Sequence, residues 1–183
     1  YMNRIFVSLL ISSLVLCGAL CAQSGNLNIY WIDVEGGGST LIVSPSGQSL
    51  LVDTGNPTPD DRDAKRIYQA TQQAGLKKID YLLITHFHGD HVGGAPALAK
   101  MIPIEHYLDH GDSVEANDPR RVGPWEAYKA LAAGKRTTMK PGDKLPVKGL
   151  DAVVVSANAQ SITAAINKGA ANPLCANAEQ PKT

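Results

Sequence analysis

Three imidazoles and a carboxylate fall within six consecutive positions of this chain: His86, His88, Asp90 and His91, in the run Thr85-His86-Phe87-His88-Gly89-Asp90-His91. Nitrogen and oxygen donors at that density suit zinc, with manganese and iron(II) ranked below it on softness and geometry. If the chain leaves the preceding apolar residues extended, side chains two apart share a face, so His86 and His88 point together and hold one ion between them. Phe87 then turns the opposite way, among apolar neighbours, and Gly89 permits a sharp reversal. Asp90 and His91 swing back toward the first pair, where they are placed to bind a second ion beside it. A single His at a strand end is ordinarily hydrogen-bonded or solvated, and a single Asp there is an ordinary helix cap. Four such accidents in six positions, in a protein with five histidines in all, explain the run poorly.

The elements that must position this loop are legible on either side of it. Residues 27–34 and 39–43 are rich in β-formers and flank Glu35-Gly36-Gly37-Gly38, which reads as a hairpin. Residues 50–55, Leu-Leu-Val-Asp-Thr-Gly, form an apolar strand that ends in the carboxylate of Asp53. A helix opens at 60–63 with acids in its first turn, carries Ala64, Ile67, Thr71 and Ala74 as an apolar stripe with a solvated charged face opposite, and stops at Gly75. The strand 79–84 delivers the loop, and 90–101 continues as a helix with Pro96 in its early turns. A strand at 104–108 ends in Asp109-His110-Gly111-Asp112, which makes His110 a candidate substrate contact; His106, inside the strand, reads as a core or surface imidazole. A short helix at 125–133, a proline-punctuated connection at 134–146 and an apolar strand at 151–156 complete the regular pattern, and 157–183 is irregular. Alternation of strand and helix places the chain in the α/β class.

His-x-His-x-Asp-His after an apolar strand resembles the signature of the metallo-β-lactamase superfamily, and His86, His88, Asp90 and His91 match it position for position. Gly93-Gly94 and Leu51-Val52-Asp53-Thr54-Gly55 are similar to that superfamily as well. The resemblance implies an αβ/βα sandwich with one or two metal ions, a role for Asp53 in buttressing the ligands without binding metal itself, and a role for Asp90 in orienting the attacking hydroxide. It also implies further ligands from a second half of the sandwich. No histidine follows His110, so residues 23–156 read as the N-terminal half of such a domain, leading through an irregular tail to the remainder.

Composition narrows the functional classes. Lysine plus arginine equals aspartate plus glutamate at 17 each, so the chain lacks the basic surplus of a strongly electrostatic nucleic-acid binder. Asn3-Arg4, an apolar run from 5 to 20 and Cys21-Ala22-Gln23-Ser24 read as a secretory signal peptide, here taken as residues 1–22. The run is shorter than the roughly 20 residues of a spanning helix, so no stable membrane anchor is expected after cleavage. Cys175 would then be the remaining cysteine, a free thiol or half of a pair completed elsewhere.

These readings converge on a secreted or periplasmic metal-dependent hydrolase that uses a zinc-activated hydroxide on an ester, lactone, amide or phosphodiester bond. Ile32-Asp33-Val34-Glu35-Gly36-Gly37-Gly38 looks similar to the exported DNA-uptake competence branch, which implies phosphodiesters; lactones, β-lactams and thioesters fit the loop equally. The alternative is a non-catalytic metal-binding domain, or an inactive fragment of such a hydrolase.

Overall fold

The computed structural model describes residues 25–166 and 169. The signal-peptide reading at 1–22, Cys175 and most of the tail beyond 166 lie outside the described residues. One six-stranded sheet runs in sequence order: β1 (Asn28–Trp31), β2 (Thr40–Val43), β3 (Ser49–Val52), β4 (Ile79–Leu83), β5 (Ile104–Asp109) and β6 (Arg136–Thr138). The first two pairings are antiparallel and the remaining three parallel.

Parallel neighbours need crossovers, and these carry the helices. They are α1 (Arg62–Gln73) between β3 and β4, α2 (Gly89–Val92) and α3 (Ala95–Leu98) between β4 and β5, and α4 (Gly123–Ala132) between β5 and β6. Right-handed crossovers that all advance the same way across the sheet lay their helices on one face. The packing agrees: α1 touches α3, and α2 and α3 both touch α4. Leu41, Leu51 and Leu82 from the sheet, Ile67 from α1, Leu98 from α3 and Trp125 and Tyr128 from α4 form the buried core between the two layers. A sheet with one helical layer corresponds to one αβ half of the αβ/βα architecture expected from the resemblance.

The opposite face of the sheet is covered unevenly. Leu50 and Leu108 are buried there, as are Met139 and Val147 from the segment after β6. That segment is tied down where Ser44 Oγ donates to the Lys148 carbonyl (2.7 Å) and the Lys148 amide donates to Gln48 Oε1 (2.7 Å). At the β1 end of the same face, Trp31 is 80% exposed.

Three sequence expectations are corrected. The helix expected over 90–101 is two short ones, because Gly94 lies against the Thr54 carbonyl and donates its own amide to Gly55 O (3.2 Å), and Pro96 has no amide to continue the ladder. The connection at 134–146 contains β6, whose polar Arg-Thr-Thr run gives no strand signal; its pairing with β5 is a tertiary effect. The apolar stretch 151–156 is not a regular strand. It contributes a bridge from Val153 to Lys144 and then enters a small hairpin, β7 (Ser156–Ala157) with β8 (Gln160–Ser161).

Two buried carboxylates hold this scaffold. Asp63, expected on a solvated helix face, is fully buried at the start of α1. It accepts from the Asn56 amide (2.8 Å) and Arg62 Nε (2.7 Å), tying the helix to the loop after β3. Asp109, at the end of β5, accepts from Arg136 Nε (2.6 Å), Arg136 Nη2 (3.0 Å) and the Tyr128 hydroxyl (2.9 Å), locking α4 to β6. Burial, reinforced by the Asp109 charge, pushes the Tyr128 phenol far above its ordinary range, so it serves only as a neutral donor. Tyr128→Phe removes that donor and leaves Asp109 paired with Arg136. The expected cost is about 1.5 kcal/mol, the lower end for a hydrogen bond to a charged group, read from the shift in urea midpoint at constant slope.

Candidate metal centre

The donors sit where β4 ends and α2 begins, at the carboxyl edge of the parallel strands, and the hairpin of β1 and β2 closes over them. Phe87 anchors the loop. It is buried between His86 and His88 in sequence, with its ring 4.4 Å from Trp125 and 5.3 Å from Tyr128, so the two flanking imidazoles are left on the solvent side. Gly37 approaches so closely that a Cβ there would stand 2.1 Å from the Asp90 carbonyl, and the Gly38 amide donates to that same carbonyl at 3.1 Å. The glycine run is therefore both a hairpin turn and a wall against the loop.

His86, Asp90 and His91 each offer a donor atom within 4.8 Å of the other two. The His86 and His91 rings lie 4.0 Å apart, and His91 Nε2 is 3.6 Å from Asp90 Oδ2. His88 stands at the edge of this group: its ring meets that of His86 edge-on at 4.7 Å, while its Nε2 is paired with Glu115 Oε2 at 3.3 Å. The side chains thus group as three plus one, rather than as the two pairs expected from alternation along an extended chain. The reason is α2. Residues 89–92 turn helically, with the His91 amide donating to the His88 carbonyl at 3.0 Å, and this folds His91 back over His86.

Asp53 organises the donors from behind. It is 3% exposed, with a left-handed backbone (φ 59°) that a non-glycine residue adopts only where its surroundings hold it. Its Oδ1 accepts from the Thr85 amide (2.8 Å) and its Oδ2 from the Thr85 hydroxyl (2.6 Å). Its Oδ2 also meets His91 Nδ1 at 2.7 Å. A carboxylate oxygen only accepts, so His91 carries its proton on Nδ1 and keeps the Nε2 lone pair for a ligand role. Because Thr85 spends its proton on Asp53, its oxygen accepts from His86 Nδ1 at 3.3 Å, which frees Nε2 of His86 in the same way. Burial, followed by the neighbouring His91 and His88, holds the His86 imidazole below its ordinary protonation range, so it is neutral at pH 7. Two imidazoles with outward-facing Nε2 atoms and one carboxylate make a donor set that fits a divalent cation.

His110 lies outside the three-donor group. Its ring packs 5.2 Å from Phe87, and its Nδ1 is buried without a hydrogen-bond partner among the described residues. With Thr85, Met139, Val154 and Ser156 it lines a cavity of about 300 Å³ beside the centre. His106 is exposed and stacks on Tyr81 at 5.2 Å, and Trp125 and Tyr128 are core residues. Sequence reasoning missed Thr85 and Glu115. Thr85 borders the motif and carries a hydroxyl, which was a usable signal; Glu115 lies in a polar stretch among other acids and had none.

The sequence profile of the metallo-beta-lactamase superfamily matches residues 33–162, and the chain belongs to that superfamily. An atrochrysone carboxyl ACP thioesterase from Cryptosporiopsis sp. is 37% identical over 108 residues, covering 58% of this chain and 32% of that protein. A UPF0173 metal-dependent hydrolase from Cupriavidus metallidurans is 38% identical over 86 residues, covering 44% of this chain and 26% of that protein. Among solved structures, the metallo-beta-lactamase SMB-1 in complex with mercaptoacetic acid is 20% identical and covers 70% of this chain and 49% of that one, with a TM-score of 0.49. The chain thus spans about a third or less of the length of these curated relatives.

Proposed function

We propose that this chain carries the principal metal-binding half of an exported hydrolase acting on acyl bonds. The observation that carries the reading is the convergence of His86, Asp90 and His91 on one point, with Asp53 and Thr85 holding the His91 and His86 protons away from it. Imidazole and carboxylate donors favour zinc, as one ion or two, over manganese or iron(II). When bound, such a cation lowers the pKa of a coordinated water to about 7 and so supplies a nucleophile at neutral pH.

The chain's own residues account for the rest. His86 and His91 present Nε2 toward the ion, and His88, at the rim, completes the set. Asp90, whose side chain is 41% exposed beside His91, accepts a hydrogen bond from the attacking water and orients it toward the substrate. His110, whose Nδ1 has no hydrogen-bond partner among the described residues, lines the adjoining cavity and contacts the substrate there. Relatives named as thioesterases and metal-dependent hydrolases support carbonyl substrates, namely esters, thioesters, lactones or amides, ahead of phosphodiesters. The basic start and apolar run within residues 1–22 support export to the periplasm or the medium.

The test combines metal analysis of the purified chain with a panel of ester, thioester, lactone, β-lactam and phosphodiester substrates, before and after chelation. Stoichiometric zinc, with turnover abolished by chelation and restored by zinc, is the expected result. Stoichiometric metal without turnover would favour a non-catalytic metal-binding domain, and absence of bound metal would end both readings. Cleavage near Ala22 on expression in a bacterial host, read by mass spectrometry of the exported product, checks the export arm.

A further inference from the structure

We propose that Glu115, braced by Arg121, is a positioning residue for the metal centre: it holds the Nε2 proton of His88 and so reserves the Nδ1 lone pair of that imidazole for a metal ion. The inference rests on the metal-binding reading above and extends it to a residue outside the His/Asp run. His88 Nε2 lies 3.3 Å from Glu115 Oε2, and the other carboxylate oxygen of Glu115 is paired with Arg121 Nη1. Arg121 leaves the carboxylate no use for a proton of its own, so in the His88–Glu115 contact the imidazole donates and the carboxylate accepts. A neutral histidine that donates from Nε2 keeps its lone pair on Nδ1.

Three features make this a built arrangement. Glu115 is held in its turn, with its amide donated to Ser113 Oγ at 3.1 Å and its carbonyl accepting from the Asp118 amide at 2.9 Å. The loop that carries it runs directly into α4, and α4 packs Trp125 against Phe87, the residue between His86 and His88. Glu115 and His88 are therefore referenced to the same piece of core, although 27 positions separate them in the chain. The side chain of Glu115 is only 19% exposed, against 54% for His88 and 60% for Arg121, so it is the enclosed member of the three. The arrangement parallels the contact of Asp53 with His91 but selects the other nitrogen. Asp53 meets Nδ1 and frees Nε2, whereas Glu115 meets Nε2 and frees Nδ1. Outer carboxylates of this kind fix ring orientation and raise ligand basicity, and their loss typically costs 10- to 100-fold in metal affinity.

The experiment uses the full chain with two readouts. Nitrogen-15 shifts of the His88 ring in metal-free protein report its tautomer, and competition with a chromophoric chelator reports zinc affinity. In the wild type the Nε2–H form of His88 should predominate. Glu115→Ala should mix the tautomers and weaken zinc binding about 10- to 100-fold, while Glu115→Gln, which keeps an accepting oxygen, should restore the wild-type tautomer and most of the affinity. Arg120→Ala is the control for loop integrity. Its side chain is 85% exposed and pairs with Asp118, so neither readout should move. An unchanged His88 tautomer in Glu115→Ala would overturn the proposal, and so would an Arg120→Ala variant that reproduces the Glu115→Ala effects. A wild type that binds no zinc would defeat the hydrolase reading, while the tautomer comparison in metal-free protein would still decide the role of Glu115.

Discussion

Asp90→Asn should lower turnover of the best substrate by about 10²- to 10⁴-fold, the range for removing a positioned proton-accepting group, while leaving most of the bound zinc in place. The substitution is nearly isosteric and sits on a side chain that is 41% exposed, so it does not disturb the core. It removes negative charge and one accepting oxygen beside His91 Nε2, but it leaves the His86 and His91 lone pairs where Asp53 and Thr85 set them. An effect mainly on kcat, with most of the metal retained, separates orientation of the water from simple loss of the site. Equal loss of metal and turnover would reduce Asp90 to a ligand, and undiminished turnover would remove it from the chemistry. The comparison requires kcat and KM for both proteins and metal analysis of the same samples.

Gly94→Ala should destabilise the protein by about 3 kcal/mol, the upper end of overpacking costs, whereas Gly89→Ala should be nearly neutral. A Cβ on Gly94 would stand 2.1 Å from the Thr54 carbonyl oxygen, a backbone atom that cannot swing aside. The Thr54 hydroxyl donates to the His91 carbonyl (3.0 Å) and the Thr54 amide bonds to that same oxygen (2.6 Å), so relief of the clash must displace the metal loop itself. Zinc affinity should therefore fall together with stability. Gly89 is different despite its place within the motif. Its backbone has no positive φ, and the nearest atom to an added Cβ is Pro57 Cδ at 3.9 Å, an ordinary contact. Denaturant unfolding of the two variants, with zinc titration of each, checks the contrast. A Gly89→Ala protein as damaged as Gly94→Ala would mean that the reversal at Gly89 needs glycine after all.

That contrast marks a limit of reading the loop as a string of residue types. Glycine beside a metal motif was legible; which glycine is indispensable was not, because the requirement comes from a strand turn some 40 positions away in the chain. The same holds for the histidines. Alternation along an extended chain pairs His86 with His88, yet two short helices break the extension immediately after His88, and the ring that comes to lie against His86 at 4.0 Å is that of His91. Local periodicity cannot register such a turn when a four-residue helix is stabilised by contacts with α4 and the β3 turn rather than by its own propensity.

What the sequence by itself determined was the donor inventory and the frame that presents it. An apolar strand running into His-x-His-x-Asp-His, an Asp at the end of a second apolar strand and an amphipathic helix between them follow from residue types at fixed spacing. Strand and helix periods reflect which side chains must leave water, and that pattern is local. What only the tertiary structure decided was the partnership of each donor: Asp53 and Thr85 on His91 and His86, Glu115 on His88, and His110 left facing a cavity. Hydrogen bonds act over about 3 Å, and the groups that meet at that range here come from separate elements. Their meeting follows from the order of strands in the sheet and the packing of α4 on Phe87, which no short window of the chain contains.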